Sequence, residues 1–325
     1  MPIVVNSNAS ATEASFNLSR NNEALRKSLG RLSSGKRISN PADDAGGLAV
    51  AYKLNSTINR SYATIQNAQN ALSYLQVQDS ALATTGKILD RMAELRTMAQ
   101  DITKNSGDIE NYSKEFIELQ SQLRQIKEEK FNGISLFSIS TGTAASSKAQ
   151  LSTTSGGVYV DANGASIAYA KFGRELITHP SGNTGNGSIS LNVVNLQFVL
   201  SLNGNSGINL GGIENGSTGI ASTGMNGDNF ITKIRDVSVS EFINAIEKLA
   251  DARAENGAEQ NRIMNSINLL QTNVTNLEAA HGRIMDADIA LESTRFARYN
   301  VLVQASAAMT AQANQMTNIA LSLLG

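Results

Sequence analysis

Cysteine and tryptophan are absent from the 325 residues of this chain, and proline occurs only three times. Without cysteine there are no disulfide staples, no thiolate metal sites and no cysteine nucleophile. Histidine is nearly absent too: His179 and His281 stand far apart and supply no recognisable metal-ligand spacing. Neither an H-E-x-x-H pair nor a G-x-S-x-G elbow occurs, and no glycine-rich loop ends in Gly-Lys-Ser or Gly-Lys-Thr. The chain therefore reads as no enzyme, with no cofactor and no metal. A formal net charge of -1, with no basic run, excludes the electrostatic footprint of a nucleic-acid binder. No window has the length and apolarity of a membrane span, so no membrane insertion is expected. The N-terminus has no basic region and too short an apolar run for a secretory signal peptide, so export, if it occurs, takes another route.

What is present is helical periodicity. From Leu48 to Ile102, apolar residues recur at Ile58, Ile65, Ala68, Leu72, Leu75, Leu82 and Leu89, in steps of three, four and seven. The seam then slips by one position to Met92, Leu95, Ala99 and Ile102, the drift of a nearly straight helix carrying a heptad pattern. With no proline inside, the stretch predicts one rod of about 80 Å at 1.5 Å per residue. A rod with one apolar stripe needs a partner. The matching rhythm lies near the other end of the chain, at Ile246, Leu249, Ile263, Ile267, Leu270, Val274, Leu277 and Ile284. His281 falls in that seam and reads as a histidine packed in a helical interface.

Ahead of the rod, a charge-poor helix carries Phe16, Leu18, Leu25, Leu29 and Leu32 on its apolar side, to be buried against other chains as much as against its own. Gly35 and Pro41 punctuate an irregular connector, and Asp43-Asp44 stand where a helix start favours carboxylates as caps. After the rod, Lys104 to Gly107 reads as a turn. A second amphipathic helix follows with Phe116, Leu119, Leu123 and Ile126, closed by Phe131-Asn132-Gly133. From Ser140 to about Val237 the composition shifts to Gly, Ser, Thr and Asn. Strand-like runs appear at Val158 to Val160, Ile189 to Leu202 and Phe230 to Val239, with turn signals at Asn163-Gly164, Asn203-Gly204 and Asn226-Gly227. The fold class expected is mainly α: long antiparallel coiled-coil helices from the two ends of the chain, with a small β-rich surface insertion between them.

The C-terminal stretch from Tyr299 to Gly325 contains no charge, yet glutamines and asparagines interrupt it. Phe296, Tyr299, Leu302, Met309, Ala313, Met316, Ala320 and Leu323 form an apolar stripe beside Gln304, Gln312, Asn314 and Gln315. An isolated helix of this kind is marginal in water and gains almost nothing from surface ion pairs. Packed among copies of itself, it buries the stripe and offsets the entropy of ordering.

Arg31-Leu32-Ser33-Ser34-Gly35-Lys36-Arg37-Ile38, followed by Asp43-Asp44-Ala45 with Gly47 and Ala49, resembles the N-terminal signature of bacterial flagellins. Arg283-Ile284-Met285-Asp286-Ala287-Asp288, Gln304-Ala305, Ala311 to Gln315 and the closing Leu321-Ser322-Leu323-Leu324-Gly325 resemble that family's C-terminal motifs. The resemblance implies a structural subunit that polymerises into the extracellular flagellar filament and serves swimming motility. It implies terminal helices over 1–45 and 286–325 lining the filament core, a coiled-coil rod over 46–139 and 238–285, and a variable exposed domain over 140–237. The assembly interface expected is Arg31, Leu32, Gly35, Arg37, Asp43, Asp44, Arg283, Asp286, Asp288, Leu302, Met309, Asn314, Gln315, Met316 and Leu323. Partners implied are further copies of the chain, a filament cap, hook-associated proteins, a cytoplasmic secretion chaperone and the flagellar export apparatus. Flagellins of several groups are also bound by an innate immune receptor of the Toll-like class, which implies contacts at Arg91, Glu94, Leu95 and Glu118. Here Ala93 stands where arginine is frequent, and ordinary surface charge is the alternative reading. The competing assignment for the whole chain is a hook-filament junction protein. An adhesin or surface-layer protein would fit the insertion alone.

Overall fold

A computed structural model describes residues 8–137, 152–160, 166–201, 231 and 233–322. Its elements, in chain order, are α1 (Ala9–Ser34), α2 (Ala45–Met98), α3 (Ser106–Lys127), β1 (Lys130–Phe131), β2 (Ile134–Ser135), β3 (Ser152–Val160), β4 (Ser166–Ile177), β5 (Ser188–Val193), α4 (Leu196–Val199), α5 (Val239–Met285) and α6 (Ile289–Ser322). They divide into two compact units, one of residues 1–59 with 273–325, the other of residues 60–272.

The second unit is built on the predicted seams. Ile65, Ala68, Leu75, Leu82, Leu89, Met92 and Leu95 of α2 are buried, with Ala99 just beyond its end, as are Leu249, Ile263, Ile267 and Leu270 of α5. The two helices run antiparallel: Asn256 Nδ2 donates to Gln78 Oε1 at 2.6 Å, and Arg253 binds Asp79 at 2.9 Å. Ile102 departs from the expectation. Helix α2 ends at Met98, and Ile102 is 99 % exposed in the turn that follows. Asn105 and Asp108 explain the break, because their reciprocal capping box starts α3 at Ser106.

Helix α3 buries Phe116, Leu123 and Ile126, and the Phe116 ring meets Phe242 of α5 edge-on at 6.2 Å. Gln120, fully buried, holds Ile231 as a strand would: its Nε2 donates to the Ile231 carbonyl at 2.9 Å, and its Oε1 accepts the Ile231 N–H at 3.0 Å. Phe131-Asn132-Gly133 does not cap this helix. Phe131 ends β1, and Asn132-Gly133 form the two-residue turn of the β1-β2 hairpin, with φ of 50° at Asn132 and 77° at Gly133, the left-handed pair that an Asn-Gly turn supplies.

In the insertion β3, β4 and β5 form one antiparallel sheet in that order. Strand β4 carries no expectation from the sequence. The run from Ile189 is a strand only to Val193, because the Asn195 side chain accepts the Phe198 N–H at 3.1 Å and caps the short α4. Phe230 to Val239 lies partly outside the described residues, and its described part is a single bridge residue at Ile231, a 3-10 turn at Ile234–Asp236 and the start of α5 in place of a strand. The three Asn-Gly signals at 163, 203 and 226 lie outside the described residues. The sheet is tied to α5 by carboxylates. Both Glu259 oxygens accept the Asn192 N–H, at 3.0 and 2.9 Å, while Glu255 accepts the Asn192 side-chain amide at 2.6 Å and pairs with Lys171. Among the described residues no helix is long and apolar enough to cross a membrane.

Candidate assembly surface

In the first unit α1 and α6 pack antiparallel. Asn8 Nδ2 donates to the Ala313 carbonyl at 2.9 Å, Asn21 Nδ2 to Ser306 Oγ at 2.8 Å, and Ser28 Oγ to Glu292 Oε1 at 2.6 Å. The charge-poor tail thus has a partner within its own chain. That pairing leaves much of the apolar surface uncovered: Phe16 is 64 % exposed and Leu29 54 %, and on α6 Ile289, Leu291, Val301, Leu302 and Met309 are exposed as well. Phe16 and Leu29, expected to be buried against other chains as much as against their own, are thus not covered within one chain. Between the helices runs a groove of about 320 Å³ lined by Ser10, Glu13, Ala14, Asn17, Leu302, Ala305, Ser306 and Met309.

Beside the helix pair, the two sequence signatures from opposite ends of the chain meet. Gly35 closes α1 in the left-handed conformation, φ 68°, which turns the chain into the connector. The connector lies antiparallel to the end of α5. Arg37 N–H donates to the Met285 carbonyl at 2.6 Å, Ala287 N–H to the Gly35 carbonyl at 2.9 Å, and the Arg37 guanidinium to the Ile284 carbonyl at 2.8 and 3.1 Å. Ile38, Ala51 and Met285 form a small core beneath, packed by Leu48 and Ile284.

The paired aspartates divide their work. Asp44 caps α2, its Oδ1 accepting the Gly47 N–H at 2.8 Å, and its other oxygen lies 3.8 Å from Arg37. Asp43 caps nothing. It binds Lys27 of α1 at 2.5 Å and accepts the Ser39 and Asn40 N–H groups at 3.3 Å. The Lys27 hydrogen bond leads these contacts in lowering its carboxyl to about 2. Asp288 caps α6 through the Leu291 N–H at 3.1 Å.

Sequence reasoning missed Glu292. Only 5 % exposed, it accepts the Ser28 hydroxyl, binds Arg295 at 3.3 Å and faces Arg31 at 4.0 Å. A signal existed: it is the only acidic residue after Asp288. Of the remaining expected residues, Leu32 is half-buried and Arg283, Asp286, Asn314 and Gln315 are exposed. The Met316 side chain and Leu323 lie outside the described residues.

The suggested receptor contact is brought together only in part. Arg91 is exposed and held by Glu115 at 2.8 Å and Glu94 at 3.1 Å, and Glu118 is exposed on α3. Leu95 is 0 % exposed, because it belongs to the α2 seam, and its side chain offers nothing to a partner. Among the described residues no group of three or more His, Asp or Glu is placed to hold a metal ion.

The model of the bacterial flagellin N-terminal helical region matches residues 5–156, and that of the bacterial flagellin C-terminal helical region matches residues 239–324. A flagellin of Clostridium tyrobutyricum is 29 % identical, over 97 % of this chain and all of its own length. A flagellin of Bacillus subtilis is also 29 % identical, over 98 % of this chain and 99 % of its own. The flagellar filament 33 kDa core protein of Treponema phagedenis is 28 % identical over 99 % of this chain. A crystal structure of Bacillus cereus flagellin covers 66 % of this chain and 94 % of its own, at 22 % identity and a TM-score of 0.40.

Proposed function

The chain belongs to the bacterial flagellins, structural subunits of the extracellular flagellar filament and not enzymes, and from that premise we propose how this one assembles. The α1·α6 pair is the polymerising element, residues 1–45 and 286–325 forming the filament core. Residues 46–139 and 238–285 make the surrounding coiled-coil shell, and 140–237 the outward domain. The carrying observation is the row of exposed apolar side chains, Phe16, Leu29, Val301, Leu302 and Met309, on two helices already paired with each other. Fully burying such a side chain is worth about 1.5–3 kcal/mol, so a few of them per contact offset the ordering cost of adding a subunit. Heterologous contacts that do not close on themselves propagate as a helix.

The connector, joined through Gly35 to Ala287 and through Arg37 to Met285, with Asp44 beside Arg37, keeps both signatures in one corner, from which the helix pair projects towards neighbouring copies. Arg31, Leu32, Asp43, Arg283, Asp286, Asp288, Asn314, Gln315, Met316 and Leu323 complete the assembly interface of this reading. The filament cap, hook-associated proteins, a secretion chaperone and the export apparatus are the further partners that family membership suggests. A Toll-like receptor contact would rest on Arg91, Glu94 and Glu118, without Leu95.

Electron microscopy of full-length protein incubated with short filament seeds tests the reading. Long filaments are expected from the full chain and none from a chain truncated before Tyr299. Leu302→Asp is expected to abolish extension while circular dichroism keeps its helical signal. Normal extension by either variant would remove α6 from the core.

A further inference from the structure

We propose that Met309 is an oxidation site that controls incorporation: a peroxide converts its thioether to the sulfoxide in the free chain, and the oxidised chain is not added to the filament until it is reduced. The inference rests on the assembly role given above to the α1·α6 pair. Met309 is 64 % exposed on α6 and borders the groove beside Leu302, opposite Glu13 and Asn17 of α1. Elsewhere among the described side chains, Met92 and Met285 are buried, while the exposed Met98 and Met264 lie in the other unit. Met309 therefore joins a solvent-open sulfur to the surface that a neighbouring copy must cover.

The chemistry is a two-electron oxygen transfer. The sulfur lone pair attacks one peroxide oxygen, the O–O bond breaks, an S–O bond forms, and the second oxygen leaves as water with both protons. The thioether is oxidised and hydrogen peroxide is reduced. The product is a polar, chiral side chain that resists burial without a hydrogen-bond donor, and methionine sulfoxide reductases reverse it, one enzyme per epimer. Burial in the filament would shield the sulfur, so the free chain is the sensitive state.

The test treats full-length chain and pre-formed filaments with dilute hydrogen peroxide, locates sulfoxide by peptide mass spectrometry, and follows seed extension. Expected are sulfoxide at residue 309 in the free chain but not in filaments, seed extension slowed at least tenfold, and recovery with both reductase classes and a thiol reductant. Measured against its own untreated rate, whatever that rate is, Met309→Leu should show no further slowing of seed extension after peroxide. Peroxide inhibition of Met309→Leu equal to that of the native chain, failure of residue 309 to oxidise, or undiminished extension by chain oxidised there would each overturn the proposal. Leu302→Asp separates the two failures. If it extends seeds normally the assembly reading itself falls, whereas if it blocks extension and the 309-sulfoxide does not, only the oxidation site is lost.

Discussion

Asp43 and Asp44 are neighbours of identical chemistry with different tasks, and their hydrogen bonds show why. Asp44 satisfies the first turn of α2, whereas Asp43 ties α1 to the connector through Lys27. Because the folded carboxyl of Asp43 is lowered to about 2 from 3.8, its contribution is fully present above the ordinary value and is lost as pH falls through about 2. Asp43→Asn is expected to flatten stability against pH across that acidic window and leave the neutral range little changed in slope, as followed by urea unfolding at stepped pH. Gly35 is the second sensitive residue. At φ 68° a side chain is strained, so Gly35→Ala should destabilise the first unit by about 1 kcal/mol and lower its melting temperature.

Among the elements, α2 and α5 carry the second unit through their seams, and the sheet depends on what α5 presents to it. Leu82 and Leu89 are fully buried, so either one changed to alanine should cost about 2–5 kcal/mol by denaturant titration, depending on how far the cavity collapses. Glu259 behaves in the opposite sense to Asp43. Burial pushes its carboxyl above the ordinary 4.5, against the pull of the Asn192 N–H, Lys171 and Arg262. The folded chain therefore holds this proton more tightly than the unfolded chain does. Its contribution improves as pH falls from neutral through the raised value and is complete below about 4.5. Glu259→Gln, which keeps an acceptor for Asn192 and removes the charge, should abolish that slope. An unchanged slope by urea titration would place the titrating group elsewhere.

For the whole molecule, the filament reading predicts a thermodynamic signature. Assembly driven by apolar burial weakens on cooling, because the driving force near room temperature is entropic and burial lowers the heat capacity. The critical concentration for seed extension, measured by sedimentation, should therefore fall as temperature rises from near freezing to about 25 °C, and more shallowly for Val301→Ala than for the native chain. A critical concentration that rises over that range would assign assembly to polar contacts instead.

The sequence alone determined the long helices and the pairing of α2 with α5, whereas the pairing of α1 with α6 within one chain came from the structure. Heptad spacing reports which side of a helix is apolar, and two seams of one rhythm at opposite ends of a chain have few other solutions than to pack together. It determined equally that cysteine chemistry cannot occur without the residue, and that two histidines so far apart in the chain supply no recognisable metal-ligand spacing. Only the tertiary structure decided where each motif acts. Arg37 and Gly35 meet Met285 and Ala287 across some 250 residues, a contact that no local pattern encodes. Leu95 is turned inward although its neighbours Arg91 and Glu94 face solvent, and Phe16 and Leu29 stay uncovered although they are apolar. The Asn-Gly at 132–133 closes a hairpin and not a helix, and Glu292 is buried through partners contributed by α1 as well as its own helix. The corner and the burial of Glu292 depend on residues far away in the chain, and the hairpin on the pairing of the strands that flank it; helical periodicity carries no record of either.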